Sequence, residues 1–281
     1  MIHYVTCPPP ERTESKGTIL LVHGFPQTWY QFRHVITPLA DGGYTVVVPD
    51  YRGAGASGKP WEGYTKDVMA RDLHTLVTSE FGIKDKIHLV GHDIGGMIVH
   101  AYAFRYPEGV ASVCWGECPL LGSEFYHQRK HSMGGWHYNF HNVPDLPELL
   151  VQGRERVYLK HFYDRLSQNP EAISNDDLGV FAEAYAQPGA LRCGFNCYRA
   201  FEEDAVINAK WLEERGKIQL PCLSLWGGRS YQDEAGALSM LSDYYANVSY
   251  QGVKGSGHWI AEEKPKEFVK AILGWVAKHE T

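Results

Sequence analysis

Six short apolar runs rich in β-branched residues punctuate the chain, at 18–22, 44–48, 87–90, 110–115, 221–226 and 248–253. Helical patterns lie between them, near 30–40, 65–80, 95–106, 233–243 and 262–278. Strands that are apolar at successive positions bury both faces. Alternation with helices therefore predicts an α/β fold with a mostly parallel central sheet covered on both sides. Right-handed crossovers follow from strand twist.

The rhythm breaks between about 119 and 215, which holds no strand run and is rich in aromatics, histidine and charge. A structureless loop of that length has no place inside a compact α/β pattern. The stretch reads as an inserted helical cap. The expected organisation is a core over 1–118, a cap over 119–215 and the rest of the core over 216–281.

Composition narrows the partners. The formal net charge of −6 argues against nucleic acid and against an anionic membrane. The first residues, MIHYVTCPPPERTESKG, hold no apolar signal core, and no run reaches the length of a spanning helix. The expected compartment is the cytoplasm. Six cysteines, Cys7, Cys114, Cys118, Cys193, Cys197 and Cys222, read as reduced, buried small hydrophobes. The pairs His127/His131 and His137/His141 lack an obvious third ligand, so no metal is expected.

The chemistry gathers where the third run meets its helix. Residues 87–90 lead into Gly91-His92-Asp93-Ile94-Gly95-Gly96, and Ile94, Met97, Ile98, Ala101 and Tyr102 follow as an apolar helical stripe. Strand, tight turn and helix, with small residues flanking the central one, is the architecture of a nucleophile elbow. The central residue here is Asp93, and no G-x-S-x-G occurs anywhere. An aspartate in that place could also do no more than cap the helix.

Two further pieces fit the same machine. His23-Gly24-Phe25-Pro26 follows the first run, and the N–H groups of Phe25 and Ile94 are candidates for an oxyanion hole. Gly255-Ser256-Gly257-His258-Trp259 follows the last run and offers His258 as general base. The acid that orients His258 has two candidates. Glu117 ends the fourth run. Asp233 lies beyond the fifth, in reserve, because Ser230 stands where an acid would be expected.

Together these motifs resemble the cap-bearing α/β-hydrolases that include epoxide hydrolases and haloalkane or haloacetate dehalogenases. His23-Gly24-Phe25-Pro26-Gln27, the run from Asp50 to Ser57, the Asp93 elbow and Gly257-His258-Trp259 carry the resemblance, which with the cap spans nearly the whole chain. It implies that Gly53, Gly55 and Gly58 are structural; no phosphate-loop signature accompanies them. It further implies that Trp136-His137-Tyr138 and Cys197-Tyr198-Arg199-Ala200 are cap segments facing the nucleophile. Trp136, Tyr138 and Pro26 would then line the substrate pocket.

Leaving-group chemistry separates the members. A carboxylate attacking an sp3 carbon gives an ester that water can cleave. An epoxide oxygen leaves as an alkoxide and needs proton donors, whereas a halide mainly needs N–H groups. Haloacetate dehalogenases resembling this chain carry arginines just after the nucleophile; here Ile94 and Met97 stand there, and Arg105 lies far along the helix. A halide-binding tryptophan is replaced by Tyr138. Glu117 matches the acid of epoxide hydrolases with a histidine–tyrosine pair. The expectation is an epoxide hydrolase: Asp93 attacks, His137 and Tyr198 donate to the ring oxygen, and His258 with Glu117 activates water. Its partners would be a small apolar epoxide and water, with no cofactor; a homodimer is a possible assembly. A dehalogenase with the same nucleophile is the alternative, and a non-enzymatic binder of small ligands on this fold comes below it.

Overall fold

The computed structural model describes residues 1–280; Thr281, the last position of the expected second core segment, lies outside the described residues. Seven strands form one sheet: β1 (Tyr4–Cys7), β2 (Thr18–Val22), β3 (Thr45–Pro49), β4 (Ile87–His92), β5 (Val110–Gly116), β6 (Ile218–Gly227) and β7 (Tyr245–Val253). Their order is β1-β3-β2-β4-β5-β6-β7. β1 runs antiparallel to β3, and every other pairing is parallel.

The six expected runs are β2 to β7. β1 was not anticipated. Four residues long, only partly buried and followed by three prolines, it has no apolar run to betray it. It is an edge strand, where partial exposure is tolerated.

Period-two alternation divides the sheet between two cores. Leu20, Val22, Val47 and Leu89 face one, with α2 (Lys66–Thr75), α3 (Ile94–Arg105) and α11 (Glu234–Ser242). Ile19, Leu21, Val46, Val48 and Val90 face the other, with α1 (Ile36–Asp41) and α13 (Pro265–Val276). The short α12 (Ile260–Glu263) leads into α13. The apolar stripe expected on α3 is in fact a helix buried all round from Ile94 to Phe104. Such a helix lies at the centre of the layer.

Between β5 and β6 the described chain is helical: α4 (Glu124–Lys130), α5 (Trp136–Asn142), α6 (Leu146–Val151), α7 (Glu155–Leu166), α8 (Asn175–Ala186), α9 (Ala190–Arg199) and α10 (Phe201–Arg215). Phe162, Phe181, Phe195 and Tyr198 from these helices are continuous with the first core. A buried ion pair ties the inserted helices to the sheet layer: Lys66 Nζ on α2 meets Asp204 on α10 at 2.8 Å and also donates to the Cys197 carbonyl at 2.8 Å.

Candidate active site

Asp93 stands at the turn from β4 to α3 with φ 54° and ψ −127°. A non-glycine residue there is strained, and strain of this kind clusters at functional turns. The neighbours explain how the turn closes. A Cβ on Gly91 would strike the Gly95 carbonyl, and one on Gly95 would strike the Val22 carbonyl. A Cβ on Gly24 would strike Asp93 itself. Backbone passes backbone only because these positions lack side chains.

Asp93 occupies the N-cap position of α3, yet its side chain makes no cap hydrogen bond. Its Oδ1 instead accepts from the Phe25 N–H at 3.0 Å. Simple capping therefore does not describe it. Burial raises the Asp93 pKa above the usual aspartate value; His258 and the N–H groups of Ile94 and Phe25 work against that rise. Of the two expected donors, the Phe25 N–H is hydrogen-bonded to the carboxylate, and the Ile94 N–H lowers its pKa.

His258 follows β7. Its Nε2 lies 3.9 Å from Asp93 Oδ2, and its Nδ1 lies 3.1 Å from Glu117 Oε2. The Glu117 side chain is wholly buried and sits just past β5 with φ 61°. Its other oxygen accepts from the Gly227 N–H at 2.6 Å, and Oε2 also accepts from the Ser230 hydroxyl at 2.8 Å. Asp233, the reserve acid, is corrected by its place: it is exposed at the start of α11, where it caps the Gly236 N–H at 2.8 Å. A solvated cap is not an orienting partner for a buried imidazole. Of the two carboxylates, it is Glu117 that meets His258.

Two expected donors come from the inserted helices. Tyr198 on α9 is buried, and desolvation with the nearby Asp93 charge pushes its phenol well above the ordinary tyrosine value. It stays protonated. His137 on α5 is held neutral, its pKa lowered to about 3 chiefly by burial. Its Nδ1 is buried without a partner. The two rings meet edge to face with centres 5.8 Å apart. Tyr138 is 5.8 Å from Tyr198, ring to ring, in the same cluster. Trp136 packs on α7, against His161 and Phe162.

Several contributors were not singled out from the sequence. His92 Nε2 bonds the His258 carbonyl at 2.7 Å; a carbonyl only accepts, so that nitrogen carries the proton. The His258 N–H donates to Leu166 O on α7 at 2.9 Å. The hydroxyl of Tyr163 donates to the Pro26 carbonyl at 2.8 Å, and that of Tyr185 to Gln27 O at 3.3 Å. Pro26 thus sits beside the donor loop, fastened by α7. Arg105 pairs with Asp67 on α2.

The profile described as "alpha/beta hydrolase fold" matches residues 17–122. The soluble epoxide hydrolase of Corynebacterium sp. (strain C12) is 31% identical over 284 residues, spanning 98% of this chain and 93% of the relative. The chain belongs to the α/β-hydrolase fold family, in its epoxide hydrolase group. It is a hydrolase. Epoxide hydrolase 4 of Mus musculus is 29% identical over 290 residues, covering 99% of this hydrolase and 77% of the relative. Among solved structures, Cfl2 from Burkholderia cenocepacia superposes with a TM-score of 0.86 at 31% identity, over 98% of this hydrolase and 91% of that chain. The epoxide hydrolase CorEH matches with a TM-score of 0.86 at 29% identity, over 99% and 95% of the two chains.

Proposed function

We propose that this hydrolase opens an epoxide to a vicinal diol through a covalent ester on Asp93. The reading takes 119–215 as a cap over a core formed by 1–118 and 216–281. One observation carries it. The Phe25 N–H, half of the oxyanion hole, is bonded to the nucleophile's own Oδ1, while Oδ2 faces His258. In a serine hydrolase such a hole receives the substrate's oxygen. Here the carbonyl to be attacked by water belongs to Asp93, so the hole belongs on Oδ1.

The steps balance. Asp93 Oδ2 forms a bond to an epoxide carbon, and the ring C–O bond breaks. The departing oxygen takes a proton from Tyr198, assisted by the N–H of neutral His137. His258 Nε2 then removes a proton from water, and Glu117 stabilises the imidazolium. The hydroxide attacks the ester carbonyl carbon, and negative charge gathers on Oδ1 between the N–H groups of Phe25 and Ile94. Collapse expels the diol oxygen, which takes the proton from His258, and the proton left on the Asp93 carboxyl returns to the Tyr198 phenolate, restoring both groups. The second reading, halide release, keeps the same nucleophile; Tyr198 and His137 favour an oxygen leaving group, since a halide needs no proton.

Atom bookkeeping supplies the test. The product's new oxygen comes from Asp93, not directly from water. A single turnover in H2(18)O should give unlabelled diol and labelled protein, and later turnovers should give labelled diol. Asp93→Ala should give no diol. Label in the diol at the first turnover, or halide without diol from a mixed panel, sinks the proposal.

A further inference from the structure

Glu263, the last residue of α12, is buried, and no step proposed above uses it. Its carboxylate accepts four backbone N–H groups. Oε1 takes those of Gly257 at 2.9 Å and Trp259 at 3.3 Å, the neighbours of His258 on either side. Oε2 takes those of Gln168 and Asn169, each at 2.8 Å, just beyond the end of α7. Helix capping accounts for the first oxygen: Trp259 is the N-cap residue of α12, and a carboxylate from the first turn reaches back to such an N–H. It does not account for the second, which crosses to donors 95 and 94 residues away in the chain.

The two segments meet closely. A Cβ on Gly257 would strike the Leu166 carbonyl and the Gln168 nitrogen. The His258 N–H, between the two that Glu263 holds, goes to that same Leu166 carbonyl at 2.9 Å. Every N–H from Gly257 to Trp259 is therefore taken, two by Glu263 and one by α7. With the backbone fixed on both flanks, only the side-chain torsions of His258 are left, and Glu117 fixes the ring at Nδ1. Nε2 then stands 3.9 Å from Asp93 Oδ2. A base that must meet a water and an ester carbonyl tolerates little displacement; an error of about 1 Å costs on the order of 10²-fold in rate. Four donors converging on one group also demand an ionised carboxylate, since an amide offers one accepting oxygen and turns its own N–H groups toward the remaining donors.

We infer that Glu263 is a positioning residue for the base: it ties the backbone of His258 to the segment after α7 and so sets where the imidazole stands between Glu117 and Asp93. The inference rests on the reading of His258 as the base that cleaves the ester.

Glu263→Gln keeps the volume and leaves one good acceptor for four donors. Two measurements read it. 15N NMR of histidine-labelled protein, with His258 assigned by its loss in His258→Gln, reports the bond at Nδ1 whatever the substrate, and that signal should shift in Glu263→Gln. Stopped flow should show ester decay slowed on the order of 10²-fold with ester formation spared. Ser174→Ala removes the N-cap of α8 and lowers stability, yet it should move neither readout. An unmoved signal, an unchanged decay rate, or equal changes in Ser174→Ala overturns the assignment. A shifted signal with no ester or diol from the native protein supports the positioning of His258 and overturns the epoxide reading. Diol from the native protein with neither readout moved overturns the role of Glu263 alone. No diol and no shift overturns both. Should Glu263→Gln fail to fold, amide exchange in the native protein decides. The N–H groups of Gln168 and Asn169 should exchange about 10- to 100-fold more slowly than free amides, in step with those of Gly257 and Trp259. Free exchange at Gln168 and Asn169 overturns the link.

Discussion

The Ser230 hydroxyl donates to Glu117 Oε2 at 2.8 Å, the same oxygen that stands 3.1 Å from His258 Nδ1. The loop after β6 thus steadies an acid supplied from the end of β5. Replacing Glu117 with Gln keeps the shape and removes the charge that favours the imidazolium. If the proposed ester forms, its decay should slow on the order of 10²- to 10⁴-fold. Ser230→Ala removes one donor to a charged group and should slow the same step about tenfold. Stopped-flow separation of ester formation from ester decay checks both, and formation should be spared. Equal slowing of both steps would mean that Glu117 acts on more than His258.

The opposite split is expected in the inserted helices. In the proposed mechanism, Tyr198→Phe removes the proton donor to the departing oxygen and should slow ester formation on the order of 10²-fold. His137→Phe should have a smaller effect, since Tyr198 remains. Pre-steady-state tryptophan fluorescence follows the step. Normal formation rates in Tyr198→Phe would remove Tyr198 from the chemistry.

Glu262 on α12 predicts a pH effect on stability. Burial pushes its pKa up to about 7, with Arg33 and Gln27 opposing. A carboxyl whose folded pKa lies above its unfolded value near 4.5 binds its proton more tightly in the folded state. The stability gained is fully present below the unfolded pKa and is lost as pH rises through about 7. The Tm of the native protein should therefore fall between pH 5 and pH 8 by more than that of Glu262→Gln, which is neutral throughout. Scanning calorimetry decides it, and parallel Tm curves would show that Glu262 is ionised across the range.

The sheet and the elbow were legible because their causes are local. β2 to β5 are mostly apolar, interrupted only by residues such as His88 and Ser112, and the glycines around Asp93 mark a turn that only small neighbours permit. The choice between Glu117 and Asp233 was not local: both follow strands, and what separates them is burial and the approach of Ser230, which folding alone creates. β1 escaped notice because an edge strand needs no apolar run.

The end of α7 touches the machinery twice: Tyr163 grips the carbonyl next to the Phe25 donor loop, and Leu166 accepts the His258 N–H. An enzyme whose core carried a finished reaction centre could shed its roof and keep a crude, unselective activity. This one is built more like an arch, in which roof and walls hold each other in line. Excising the inserted helices would remove the hydrogen bonds that hold both the Phe25 loop and His258, so under the proposed mechanism the bare core should lose activity even toward substrates that need no pocket.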